Sequence, residues 1–130
     1  MKLPVVILIA LSLGVVHPVY ASDLTDAKKD RAEASYDTTK DMAKQKYKQD
    51  KKNCKKMSGN EKDVCLKDAK AAYVSAKSHA KADEKSAKSH AEADEDQMKA
   101  DYKAAKERCG TLSGSAKDAC VGEAKVKYHQ

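Results

Sequence analysis

The chain has no tryptophan and no phenylalanine, and only two prolines and five glycines in 130 residues. Both prolines, Pro4 and Pro18, fall in the first 18 residues, and beyond Ala21 isoleucine is absent as well. From Ser22 onward only ten large aliphatic side chains remain, with five tyrosines. At about 1.5–3 kcal/mol for each one fully buried, they cannot fill a conventional globular core. The glycine-rich phosphate loops, nucleophile elbows and H-E-x-x-H spacings that mark common enzyme chemistries are all missing. Those absences exclude a large enclosed active site and point away from an enzyme.

The one long apolar run stands at the start. Lys2, the stretch Leu3–Val16 and then Val19-Tyr20-Ala21 have the layout of a secretory signal peptide. The run is shorter than the roughly 20 residues a membrane-spanning helix needs, so cleavage after Ala21 is expected. The exported chain would be residues 22–130, a single helical domain in the periplasm with no transmembrane segment. Loss of Lys2 lowers the formal charge from +6 to +5. Both signs are mixed along the chain, and basic residues do not alternate with stacking aromatics. A solvated surface is expected rather than a specific nucleic-acid face.

Ala, Lys, Glu, Asp and Gln dominate, and all but Asp favour helix. Neither Gly nor Pro interrupts residues 22–58 or 60–109. CKKMSGNEKDVC (Cys54–Cys65) returns as CGTLSGSAKDAC (Cys109–Cys120). Aligning Tyr47–Tyr73 with Tyr102–Tyr128 gives 12 identities in 27 positions at a constant offset of 55. One hairpin unit therefore occurs twice, at 47–73 and 102–128. Gly59 is expected to end a helix in the left-handed conformation, with Asn60 as the next N-cap and Asp63 facing the free amides. Gly114, Ser115 and Asp118 repeat that arrangement as a capping box.

Each cysteine lies about one turn from its loop, which brings the two level across an antiparallel helix pair. Four cysteines in an exported chain read as disulfides, and the repeat selects Cys54–Cys65 with Cys109–Cys120. A zinc site built from all four lacks the C-x2-C spacing and would join opposite ends of the molecule. A redox-active pair lacks C-x-x-C.

A shorter repeat lies between the hairpins. AKSHAKADEKS is followed by AKSHAEADEDQ, identical at 8 of 11 positions. Eleven residues make three helical turns, so one face stays aligned. Steps of four and three from Cys65 to Cys109 predict a seam through Ala69, Ala72, Ala76, Ala80, Asp83, Ala87, Ala91, Asp94, Met98, Tyr102 and Ala105. The expected fold is all-α: an elongated three-helix rod of two disulfide-stapled hairpins sharing a long middle helix. Helices at about 23–57, 61–109 and 115–129 satisfy the lengths. A break near Asp83, giving a compact four-helix bundle, is the alternative.

His79 and His90 each have an aspartate four residues on, Asp83 and Asp94, on the same helix face. These are weak candidates for a metal; the histidines stand about 16 Å apart along a helix and cannot bind one ion together. No cofactor is expected.

The hairpin residues also carry a resemblance. Tyr47, Lys48, Cys54, Gly59, Asn60, Lys62, Asp63 and Cys65 match a pattern found in small exported proteins of Gram-negative bacteria. Tyr102, Lys103, Ala105, Lys106, Cys109, Gly114, Lys117, Asp118 and Cys120 match it again, with Ser115 where the pattern has Asn. These Lys/Ala-rich proteins are sometimes labelled TolA-like cell-envelope biogenesis proteins. The resemblance implies a periplasmic helical protein and brings no active-site residues. The expected function is structural or interactive, with an envelope protein or anionic envelope surface as partner, or a second rod through self-association. A hydrophilic stress protectant is the alternative, because 11-residue Ala/Lys/acid repeats resemble late-embryogenesis-abundant proteins.

Overall fold

The structure, a computed structural model, describes residues 20–130. Apart from Tyr20 and Ala21, the expected signal segment lies outside the described residues. Among the described residues three helices follow one another: α1 (Ala21–Cys54), α2 (Gly59–Cys109) and α3 (Gly114–Lys127). The middle helix is unbroken for 51 residues, or about 76 Å. Both flanking helices fold back on it, and their combined length nearly matches its own. They meet end to end, where the Ala21 amide donates a hydrogen bond to the His129 carbonyl. The molecule is thus a rod two helices thick.

Each hairpin is clamped beside its loop. Cys54–Cys65 and Cys109–Cys120 are disulfides with Cα separations of 5.6 and 5.7 Å, in the usual range for such bridges. Between the staples the contact is thin. Apart from cysteine, every buried apolar side chain among the described residues is an alanine. On α1 they recur at eleven: Ala21 and Ala32 are buried, Ala43 is half-buried, and Cys54 completes the row. Thr25, Tyr36 and Tyr47 form a second row at the same period. On α2 the buried Ala69, Ala80 and Ala91 keep step. The 11-residue period therefore shapes both long helices, because only a period near 3.67 residues per turn holds a straight seam over so many turns.

The seam on α2 differs from the predicted one at four positions. Ala72, Asp83, Ala87 and Asp94 are exposed, whereas Tyr73, Glu84 and Glu95 turn inward. The longer side chains explain the rotation. Tyr73 stacks on Tyr47 with ring centroids 5.3 Å apart, worth about 0.5–1.5 kcal/mol beyond the area it buries. Glu84 lies between two lysines, which satisfy its carboxylate in the seam.

The caps also differ. α1 closes at Cys54 with Lys55 still right-handed, so Gly59 does not end it. Ser58, extended at φ −131° and ψ 162°, is the N-cap of α2, and Gly59 opens that helix at φ +55°. Ser113 and Gly114 repeat the arrangement. Asn60 and Ser115 thus lie inside the first turn, and Asp63 and Asp118 just beyond it: the extended serine and left-handed glycine have already redirected the chain. Nothing stands within 4 Å of a Cβ at Gly59, Gly114 or Gly122, so substitution there tests backbone conformation alone. Gly59→Ala and Gly114→Ala should each cost about 1–2 kcal/mol. Gly122→Ala, inside α3, should stabilise by about 1 kcal/mol. Thermal melts of the three variants compare the two signs directly.

Candidate functional site

Two kinds of feature stand out on the rod: the stapled loops and a groove along the middle of the α1–α2 pair. At the first loop Met57 and Val64 remain 44% and 47% exposed beside the Cys54–Cys65 bridge. They line a shallow cleft with Asp50, Asn53 and Asp68. Leu112 gives the second loop a similar exposed apolar tip, at 43%.

The groove runs between α1 and α2 away from either loop. Lys28, Arg31, Ser35, Tyr36 and Thr39 form its α1 wall. His79, Asp83, Ala87, His90 and Asp94 form its α2 wall. All four histidine and aspartate candidates therefore share one face, as their spacing requires. Among the described residues, no group of three or more metal-ligating side chains comes together within the chain.

Ion pairs join α1 to α2, the first of them in the groove wall. Lys28 Nζ donates to Asp94 Oδ2 at 2.7 Å, Lys29 reaches Glu92 at 3.0 Å, and Lys88 reaches Glu33 at 3.5 Å. The floor holds Glu84, whose side chain is only 5% exposed; Lys81 and Lys88 contact its carboxylate at 2.7 and 2.8 Å. Lys81 also lies over the Tyr36 ring, 5.0 Å from its centre, and Lys40 lies 5.2 Å from the same ring. This Tyr36–Glu84 cluster was not read from the sequence. The 11-residue spacing of Thr25, Tyr36 and Tyr47 was its signal, because it puts Tyr36 in the seam opposite Glu84.

Hydrogen bonds from Lys81 and Lys88 hold the Glu84 carboxyl below its ordinary range. Lys28 does the same for Asp94, and Lys99 for Glu95. A carboxyl whose folded-state pKa is depressed adds stability above its unfolded pKa, about 3.9 for Asp and 4.3 for Glu. That stability is lost as pH falls through the lower folded-state value. The melting temperature should therefore hold steady from pH 7 to about 5 and decline on further acidification. Glu84→Gln should flatten part of the decline, which melts across an acid series would show.

The groove can present paired charges and imidazoles to a long, narrow partner. It does not enclose a small molecule, because one side is open along its length. No family model, no curated protein and no solved structure matches the chain.

Proposed function

We propose that the chain is a non-enzymatic structural or interaction protein of the periplasm, a preformed rod that spaces or docks components of the cell envelope. One observation carries the reading: a disulfide clamps each end of a continuous middle helix whose side-chain contacts are otherwise thin. Bridges at those places preserve length and straightness, which matter to a spacer and not to a chain that works while disordered. They also suit an oxidising compartment, where such bonds persist. Among the described residues, no helix is long and apolar enough to cross a membrane. The exposed loop tips at Met57, Val64 and Leu112 would serve as contact points, and the solvated lysine faces would meet anionic envelope surfaces.

Fractionation with crosslinking tests the reading. The protein should be released by osmotic shock with no free thiols. A photo-crosslinker at Met57 or Leu112 should capture envelope components in the oxidised form, and reduction should abolish the capture at Leu112, where the bridge holds α3. Retention in the cytoplasm with reduced cysteines would overturn the assignment. Protection of other proteins during drying, equal for oxidised and reduced chains, would favour the protectant instead.

A further inference from the structure

The α2 wall of the groove carries four side chains of metal-ligating type, three of them without a hydrogen bond or ion pair among the described residues. His79, Asp83, His90 and Asp94 are all exposed and line the same face. Among the described residues, no hydrogen bond or ion pair engages His79, Asp83 or His90, and Asp94 holds Lys28 through Oδ2. Their neighbours Lys81, Glu84 and Lys88 are all paired. Within one chain the two His/Asp pairs stand about 16 Å apart along the helix and cannot converge.

Their order is self-complementary. Read along α2 the sequence is His, Asp, His, Asp at 79, 83, 90 and 94. A two-fold axis between residues 86 and 87 reverses α2, so facing residues have numbers that sum to 173. His79 then faces Asp94 of the second copy, and Asp83 faces its His90. The same axis must also satisfy α1, whose register is set by Cys54 opposite Cys65 and Tyr47 opposite Tyr73. There it brings Arg31 opposite Tyr36 of the second copy, and Lys28 opposite its Thr39. No charged residue lining the groove meets a like charge, and an isologous contact makes every such pairing twice. Ala87 faces Ser86 at the centre, small enough for the two α2 helices to approach within the usual 8–10 Å.

We propose that the groove takes a second copy of the chain, laid antiparallel, and that this interface builds two identical sites for a divalent transition metal of the zinc type. Each site joins His79 and Asp83 of one copy with His90 and Asp94 of the other. Two imidazoles and two carboxylates are ligands such an ion accepts in tetrahedral geometry. The two carboxylates neutralise the dication, which removes the cost of placing net charge in an interface. Asp94 Oδ1 serves as ligand while Oδ2 keeps Lys28. The inference goes beyond the envelope reading and rests only on the rod, so either can fail without the other.

Sedimentation of the full oxidised protein with zinc chloride or with a chelator tests it. The expected result is a monomer with chelator and a dimer with zinc, at one zinc per chain by titration calorimetry. His79→Ala with His90→Ala should abolish both binding and dimerisation, while helical circular dichroism stays unchanged. Ala87→Arg keeps every ligand but blocks the approach of the helices, and should also leave a monomer. Spin labels at Lys70→Cys should lie about 50 Å apart along the axis of the zinc dimer, and labels at Lys85→Cys within about 25 Å. A mass unchanged by zinc, a dimer indifferent to the histidines, or short distances at both label positions would each overturn the proposal.

Discussion

Replacing Cys109 and Cys120 together by serine should melt α3 while α1 and α2 remain paired. Helix α3 has 14 residues, a length at which an isolated helix is marginal in water. Its sole buried side chain is Ala124. The repeat would give it a tyrosine stack like that of Tyr47 and Tyr73, but α3 ends at Lys127 and Tyr128 has left the helix as its C-cap. The disulfide is therefore its main tie to α2. Closing so short a loop is worth about 3 kcal/mol in the chain-entropy model, more than the remaining contacts of α3 can replace. Helical circular dichroism should fall by about one-seventh, the share that 14 residues hold beside 34 and 51. Amide exchange across 114–127 should lose its protection. The matching change at Cys54 and Cys65 should behave differently. There the Tyr47–Tyr73 stack and the Lys28–Asp94, Lys29–Glu92 and Lys88–Glu33 pairs still hold α1. Its melting temperature should drop by about 10–20 °C with no local loss of helix at low temperature. Unchanged exchange in α3 after removal of its bridge would show that packing holds that helix.

The second large effect concerns continuity. Ala80→Pro places a proline in the interior of α2, at a seam position only 7% exposed. Proline removes one helical hydrogen bond and clashes with the carbonyl four residues back, at a cost of about 3 kcal/mol or more. Here the cost should be larger than in a short surface helix. A kink at Ala80 also tilts one half of α2 away from α1, across the ion pairs that flank the groove. Spin labels at Lys62→Cys and Lys106→Cys should read about 66 Å in the parent and a shorter, broader distribution in the variant. Ala80→Gly, which costs about 1 kcal/mol, should keep the long distance. An equally long, narrow distribution for the proline variant would mean that α2 is not one continuous helix to begin with.

Much of this architecture is legible in the sequence because the chain repeats itself. The duplicated C-x10-C unit places both loops and both bridges, and the absence of Gly and Pro from 60–109 leaves α2 nothing to stop it. The face of the seam was harder to read. Period fixes which residues share a side of a helix but not which neighbouring row a long side chain takes. Tyr73 and Glu84 displaced Ala72 and Asp83 because a stacking ring and a lysine-bound carboxylate gain more from the seam than a methyl group or a solvated aspartate. The caps misled for a related reason. Asn60 and Ser115 are good N-cap residues, yet the serines two places earlier were already extended and each following glycine was free to take positive φ. The 11-residue rows on α1 were missed because only their small and aromatic members recur, among charged residues that vary freely.

The central claim is that the oxidised chain is a preformed rod in solution. Small-angle X-ray scattering in dilute buffer at neutral pH tests it most directly. A rod about 76 Å long has a radius of gyration near 22 Å, with a cross-section two helices wide. That value, with a maximum dimension near the length of α2, is the result the account predicts. A radius near 13 Å would mean a compact bundle, and one near 30 Å an unfolded chain. Either would contradict the rod.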